Sequence, residues 1–244
     1  MAGAALTAMR RALRAALAFA PALLPAAAQA QAASCRVPPS FELPSRPVPD
    51  GPVRRTPVAG YTLALSWSPA FCREQGGARR ESLQCSGAMG RFGFVLHGLW
   101  PEGRGTDWPQ WCPARTMPDR ATLRRHLCMT PSPDLLAHEW AKHGACMSAS
   151  PARYFAEAER AWAGVRLPDM AALAAGPALT AGALRRAFVA ANPGLPMRGI
   201  RLLLGRGGQL KEVHLCLDRA KAHVACPAGR DGPDDDAALA IAAP

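Results

Sequence analysis

Two short stretches carry the side chains that can do proton chemistry. The first is Phe94-Val95-Leu96-His97-Gly98-Leu99-Trp100-Pro101, the second His138-Glu139-Trp140-Ala141-Lys142-His143-Gly144-Ala145-Cys146. Together they hold three of the chain's six histidines, a carboxylate and an ammonium. Histidine titrates near neutrality, so two of them can act as acid and base at one pH. A lysine beside them can steady negative charge that develops on a phosphoryl group. A phosphodiester with a neighbouring hydroxyl suits this set, because the substrate then brings its own nucleophile and no metal or cofactor is needed. Spacing supports the second stretch. On a helix at about 100° per residue, with His138 at zero, Lys142 falls at about 40°, Glu139 at about 100° and His143 at about 140°. The four polar groups share one arc, and Trp140 and Ala141 lie outside it.

The elements that must position these groups can be read in order. Tyr61 to Trp67 alternates large apolar with small or polar residues, which predicts a half-buried strand. Arg91 to His97 predicts a second, with Phe92, Phe94 and Leu96 on one face and Val95 and His97 on the other. Pro101 to Pro118 is a Gly- and Pro-rich loop carrying Glu102, Asp107, Trp108 and Trp111. Helices are predicted over Asp119–Leu127, from about Pro133 through His143 with Gly144 as the stop, over Pro151–Gly164, and over Thr180–Asn192 with Thr180 as N-cap. The stripe Tyr154, Phe155, Ala158 and Trp162 reads as core. Strands at Gly199–Leu204 and Leu210–Leu217 form a hairpin across Gly205-Arg206-Gly207-Gly208, with Val213, Leu215 and Leu217 buried. Strands and helices do not alternate strictly, so the fold class is α+β: an antiparallel β-sheet core with packed helices, stabilised by disulfides.

Both motifs resemble the two active-site segments of the ribonuclease T2 family, His-Gly-Leu-Trp-Pro and His-Glu-Trp-x-Lys-His-Gly-x-Cys, without a mismatch. The resemblance runs from Tyr61 to about Cys226, and takes in Leu63-Ala64-Leu65-Ser66-Trp67 and Lys211-Glu212-Val213-His214-Leu215-Cys216-Leu217-Asp218. It implies a metal-independent endoribonuclease that cleaves single-stranded RNA through a 2′,3′-cyclic phosphate and then a 3′-phosphate. It implies His143 as general base, His97 as general acid and His138 as phosphate binder. Lys142 would stabilise the phosphorane and Glu139 would orient or tune a histidine. Trp100, Glu102 and Trp108 stand where the family tends to place an aromatic, an acid and another aromatic for base binding; Trp100 could equally pack behind His97. His126, His214 and His223 match no catalytic segment and read as structural or surface residues.

Composition sets the compartment and partners. The formal net charge is +11, with Arg10, Arg11 and Arg14 contributing three of the charges. A basic surface favours a polyanion such as RNA, although charge alone decides nothing. Residues 1–32 read as a cleaved signal peptide: a basic start, an apolar run from Ala15 to Leu24 broken by Pro21, and an Ala-x-Ala site. The implied location is periplasmic or secreted, with no stable membrane insertion. Residues 33–60 form an arm with seven prolines, 61–228 the catalytic domain, and 229–244 an acidic and Ala-rich tail expected to be disordered. The eight cysteines in an exported chain imply disulfides. Local spacing favours Cys72–Cys85 and Cys216–Cys226, and the family resemblance suggests Cys112–Cys146. Cys35 and Cys128 are then left to pair with each other, unless Cys35 is a lipidated N-terminus. A monomer is expected.

Two rival readings remain at this level. His138-Glu139 invites comparison with a zinc-binding His-Glu-x-x-His, but the second histidine comes five residues on, about 140° round a helix instead of about 40°. The other rival is an RNA-binding protein without catalysis; it should have lost a catalytic His or Lys, and none is missing.

Overall fold

The computed structural model describes residues 35–74, 82–105, 107–176, 178–229 and 232–243. The proposed signal segment lies outside them. A four-stranded antiparallel sheet organises the chain, with β1 (Gly60–Trp67), β2 (Phe94–Glu102), β4 (Ile200–Leu204) and β5 (Leu210–Leu217) in the order β2-β1-β5-β4. Cross-strand partners such as Leu99, Leu63 and Leu215, or Leu96, Leu65 and Val213, share one face and are fully buried. The other face carries Trp100 beside Thr62, His214 beside Ala64, and Glu212 beside Ser66. Side chains alternate between faces along a strand, so the packing that buries the leucines fixes the polar row opposite.

The helices are α1 (Ser68–Glu74), α2 (Arg120–His126), α3 (Pro133–Lys142), α4 (Pro151–Ala163), α5 (Met170–Ala175) and α6 (Ala181–Ala191). Their starts have clear causes. Asp119, Ser132, Ser150, Asp169 and Thr180 each cap a free backbone N–H, and Pro133 and Pro151 open α3 and α4 where no N–H is needed. The Tyr154, Phe155, Ala158 and Trp162 stripe of α4 is buried, and the Tyr154 hydroxyl donates to the Leu99 carbonyl across to β2. Four disulfides join Cys35–Cys128, Cys72–Cys85, Cys112–Cys146 and Cys216–Cys226.

The helix α1 follows β1 directly; the Ser68 N–H is taken by the Gly93 carbonyl, and Pro69 sits in the first turn, where proline is tolerated. Two expectations change. The second strand begins at Phe94, not Arg91, and runs on through Pro101 to Glu102, because β1 is long enough to pair with it as far as Gly60. The tail is not disordered over its described part. Here β6 (Ala238–Leu239) pairs with β3 (Leu179–Thr180), and the Trp67 indole donates to the Ala242 carbonyl. The reason lies in Arg185, whose guanidinium is buried on α6. It donates to Asp235 and to the Pro233 and Ile200 carbonyls, so the acidic stretch serves as its counter-charge.

Candidate active site

His97 owes its position to an irregularity in the sheet. Leu65 pairs with Leu96 and Ala64 with Gly98, so His97 is an extra residue, a bulge that leaves it unpaired with β1 on the polar face while Leu96 and Leu99 both stay on the core face. The imidazole Nδ1 donates to Glu212 Oε1 at 2.7 Å, and Nε2 lies 3.7 Å from Glu139 Oε1. Gly98 is required next to it. A Cβ there would fall 1.9 Å from Glu139 Oε2 and 2.5 Å from the Trp100 indole nitrogen.

The other motif groups come from α3 and its C-terminal end. Glu139 is buried, and its Oε2 accepts from the Trp100 indole at 2.6 Å. His143 caps the helix, its N–H bonding the Glu139 carbonyl. Gly144 then lets the chain turn away, since a Cβ would meet the rings of Trp140 and Tyr154 at 2.6–2.8 Å. The turn is fixed by the Cys112–Cys146 bond. Trp100 is the hub: His143 stacks on its face with ring centroids 5.4 Å apart, while His97 and His214 meet it edge-on at 5.1 Å. His138 lies at 5.3 Å from the Trp111 ring, and Lys142 reaches Asp50 at 2.7 Å.

The electrostatics split the two central histidines. For His97, burial opposes the charged form, but the hydrogen bond to Glu212 and the charges of Glu139 and Glu212 overcome it and raise the pKa above 6.5. For His143, burial is the leading cause and Lys142, His138 and His97 add to it, pushing the pKa down to about 3. Its Nδ1 is buried and has no hydrogen-bond partner among the described residues. Burial likewise raises Glu139 to about 7, against the pull of His97 and the Trp100 bond. Glu212 moves the other way: burial opposes its charge, yet the bonds from His214 and His97 hold its carboxyl well below the usual range.

The structure thus brings His97, His138, Glu139, Lys142, His143 and Trp100 together. Of the remaining expected residues, Glu102 borders this group only through Trp100 and Trp108 lies apart from it. Glu102 accepts from Thr62 Oγ1 at 2.7 Å and lines, with Trp100, His214 and Arg201, a recess of about 220 Å³. Trp108 is covered by the Arg54 guanidinium at 4.1 Å and bonds Gln110, so that face is occupied by the protein itself. Sequence reasoning missed Glu212, Ser66, His214 and Asp50. Ser66 donates to Glu212 Oε1 at 2.8 Å and His214 Nε2 to Glu212 Oε2 at 2.7 Å, so one carboxylate serves three donors. The signal available was the shared parity of Glu212 and His214 on one strand.

Fold and site together define a disulfide-linked α+β protein with three histidines gathered on one indole. Solved structures of ribonucleases share this fold. Trichomaglin, an S-like ribonuclease, superposes with a TM-score of 0.61 at 19% identity, covering 75% of this chain and 97% of that one. A variant of ribonuclease MC1 does so at 0.58 with 24% identity, covering 75% and 99%. The chain belongs to the ribonuclease T2 family: the family model matches residues 59–176. A ribonuclease of Aeromonas hydrophila is 34% identical over 165 residues, 65% of this chain and 71% of that protein. A probable ribonuclease of Haemophilus influenzae is 37% identical over 127 residues, 47% of this chain; the match spans about half (46%) of that relative.

Proposed function

We propose that this protein is an exported, metal-independent endoribonuclease that cleaves single-stranded RNA by attack of the 2′-OH on the adjacent phosphate. The observation that carries the reading is that, of the imidazoles on Trp100, His97 is bonded to a carboxylate while His143 is buried with its Nδ1 unbonded among the described residues. Opposed environments of this kind divide acid from base. His143, neutral, takes the 2′-OH proton. The 2′-oxygen bonds to phosphorus and the 5′-oxygen leaves with the proton of His97 Nε2, giving a 2′,3′-cyclic phosphate. An arriving phosphodiester is anionic and raises the proton affinity of His143 as the reaction needs. His138 and Lys142 hold the phosphoryl oxygens, and Glu139 faces His97 Nε2. Water then reverses the roles and opens the ring to a 3′-phosphate. The recess beside Trp100 and Glu102 is the candidate base site. Four disulfides support an oxidising compartment, periplasmic or extracellular. No helix among the described residues is long and apolar enough to cross a membrane.

The test is cleavage of a short single-stranded RNA in EDTA by the oxidised mature protein, beside His97→Ala and His143→Ala. We expect a cyclic phosphate end by mass spectrometry and losses of at least about 100-fold in both variants. Loss of wild-type activity in EDTA, or full activity in either variant, would sink the reading.

A further inference from the structure

The N-terminal arm, residues 35–59, lies almost entirely outside the stretch that the family model matches, yet it reaches the candidate active site. It is stitched down on both sides. Upstream, Cys35 is bonded to Cys128, and Arg120 and Arg124 donate to the Phe41 and Pro39 carbonyls. Downstream, Arg54 and Gln110 exchange two backbone hydrogen bonds at 3.0 Å, and the Gln110 side chain donates to the Pro52 carbonyl at 2.9 Å. Between these anchors Pro38, Phe41 and Val48 form one wall of a cleft of about 1230 Å³ whose other wall includes His97, His138 and Glu212.

Asp50 sits in the same span of the arm. One oxygen accepts from Lys142 Nζ at 2.7 Å, the other from the Trp111 indole at 2.9 Å. Trp111 is held for this contact. Its backbone is left-handed (φ 55°), uncommon for a bulky residue, and its N–H bonds the Lys142 carbonyl at 2.7 Å. The same indole meets His138 edge-on. A carboxylate oxygen therefore lies on the arc of α3 whose side chains, His138 and Lys142, are the groups proposed to take the phosphate.

We infer that Asp50 is a resident anion in the phosphate site, and that substrate binds by displacing it from Lys142. The inference rests on the reading of Lys142 and His138 as the phosphate-holding pair. Asp50 is suited to leaving. Its side chain is 52% exposed, that of Lys142 21%, and a pair so open to water is weak enough for a phosphodiester to compete with it. The anchors on either side keep the carboxylate near when it swings off. Asp50 thereby sets how strongly an anion must bind before it can hold Lys142.

The experiment uses the full mature chain, with Asp50→Asn, Glu159→Gln as an equal loss of charge on α4 outside the cleft, and Lys142→Gln alone and combined with Asp50→Asn. Calorimetric titration with inorganic phosphate is run beside kcat and KM for a short single-stranded RNA at low salt. Asp50→Asn should tighten phosphate roughly three- to fivefold, the worth of an exposed ion pair. KM should fall by a similar factor with kcat not reduced, Glu159→Gln should change neither, and on the Lys142→Gln background the Asp50 effect should vanish. Unchanged or weaker phosphate binding in Asp50→Asn, or a fall in kcat, would overturn the inference, the latter by making Asp50 a support that aims Lys142. If the wild type cleaves no RNA, the proposed function fails, and the phosphate titration still decides the role of Asp50.

Discussion

Replacing Glu212 by Gln tests the division of labour between the two histidines. The amide keeps an oxygen for His97 Nδ1 and Ser66 but removes the negative charge that all three donors share. Burial already disfavours the His97 imidazolium; with the anion gone, burial wins and the pKa moves down. A hydrogen bond to a charged group contributes about 1.5–3 kcal/mol, which is roughly a 10- to 100-fold loss of kcat/KM at neutral pH if the acid must be protonated. The assay is the pH dependence of kcat/KM, which reports the free enzyme's groups. The alkaline limb, set by His97, should shift to lower pH, while the acidic limb, set by the depressed His143, should stay. Stability should change too, with a definite window. The raised His97 contributes below its unfolded 6.5 and loses that contribution as pH rises through its folded pKa; the depressed Glu212 contributes above its unfolded 4.5 and loses it as pH falls through its folded pKa. The variant should therefore be weakened most between about pH 4.5 and 6.5, and less as pH rises through the raised pKa of His97. An alkaline limb that stays in place in Glu212→Gln would refute the assignment of His97 as the acid held by this carboxylate.

Two further outcomes follow from packing. Gly98→Ala drives a methyl into the Glu139 carboxylate, so activity should drop by at least about 100-fold and the thermal midpoint should fall; a variant as stable and active as the wild type would mean the close approach is not needed. Removing residues 232–244 strips the buried Arg185 of Asp235 and of the Pro233 carbonyl, and should cost on the order of 3–5 kcal/mol in denaturant unfolding; a loss under about 1 kcal/mol would show that Arg185 is satisfied without the tail.

The motif residues were legible because each set is contiguous in the chain. His138, Glu139, Lys142 and His143 share an arc by helix period alone, and the caps Asp119 and Thr180 act where their side chains predict. What supports those residues was hidden because it is built from register. Glu212 lies 115 residues from His97, and the two meet only because β1 pairs with both β2 and β5. His214, read as ordinary, shares the Glu212 carboxylate for the same reason. The bulge at His97 could not be foreseen, since strict alternation assumes that every residue of a strand has a partner. The tail misled because four aspartates read as solvated, and nothing local says that a buried arginine on α6 requires one of them.

The asymmetry between the two histidines follows from the elements that bear them. His143 ends a helix, where the backbone dipole favours a cation, yet it is lowered to about 3, so its burial outweighs the dipole. The ring it stacks on, Trp100, carries no formal charge, while Lys142, His138 and His97 all oppose a second cation. His97 sits on a bulge in the sheet, where a neighbouring strand delivers a carboxylate to one nitrogen and the other lies toward Glu139. Exchanging the supports would exchange the roles: a carboxylate placed on His143 Nδ1 would protonate it and remove the base. The fold gives the two imidazoles the opposed surroundings that the proposed acid and base need, and Trp100, touching both and bonding Glu139, is the fixed surface against which the two are set.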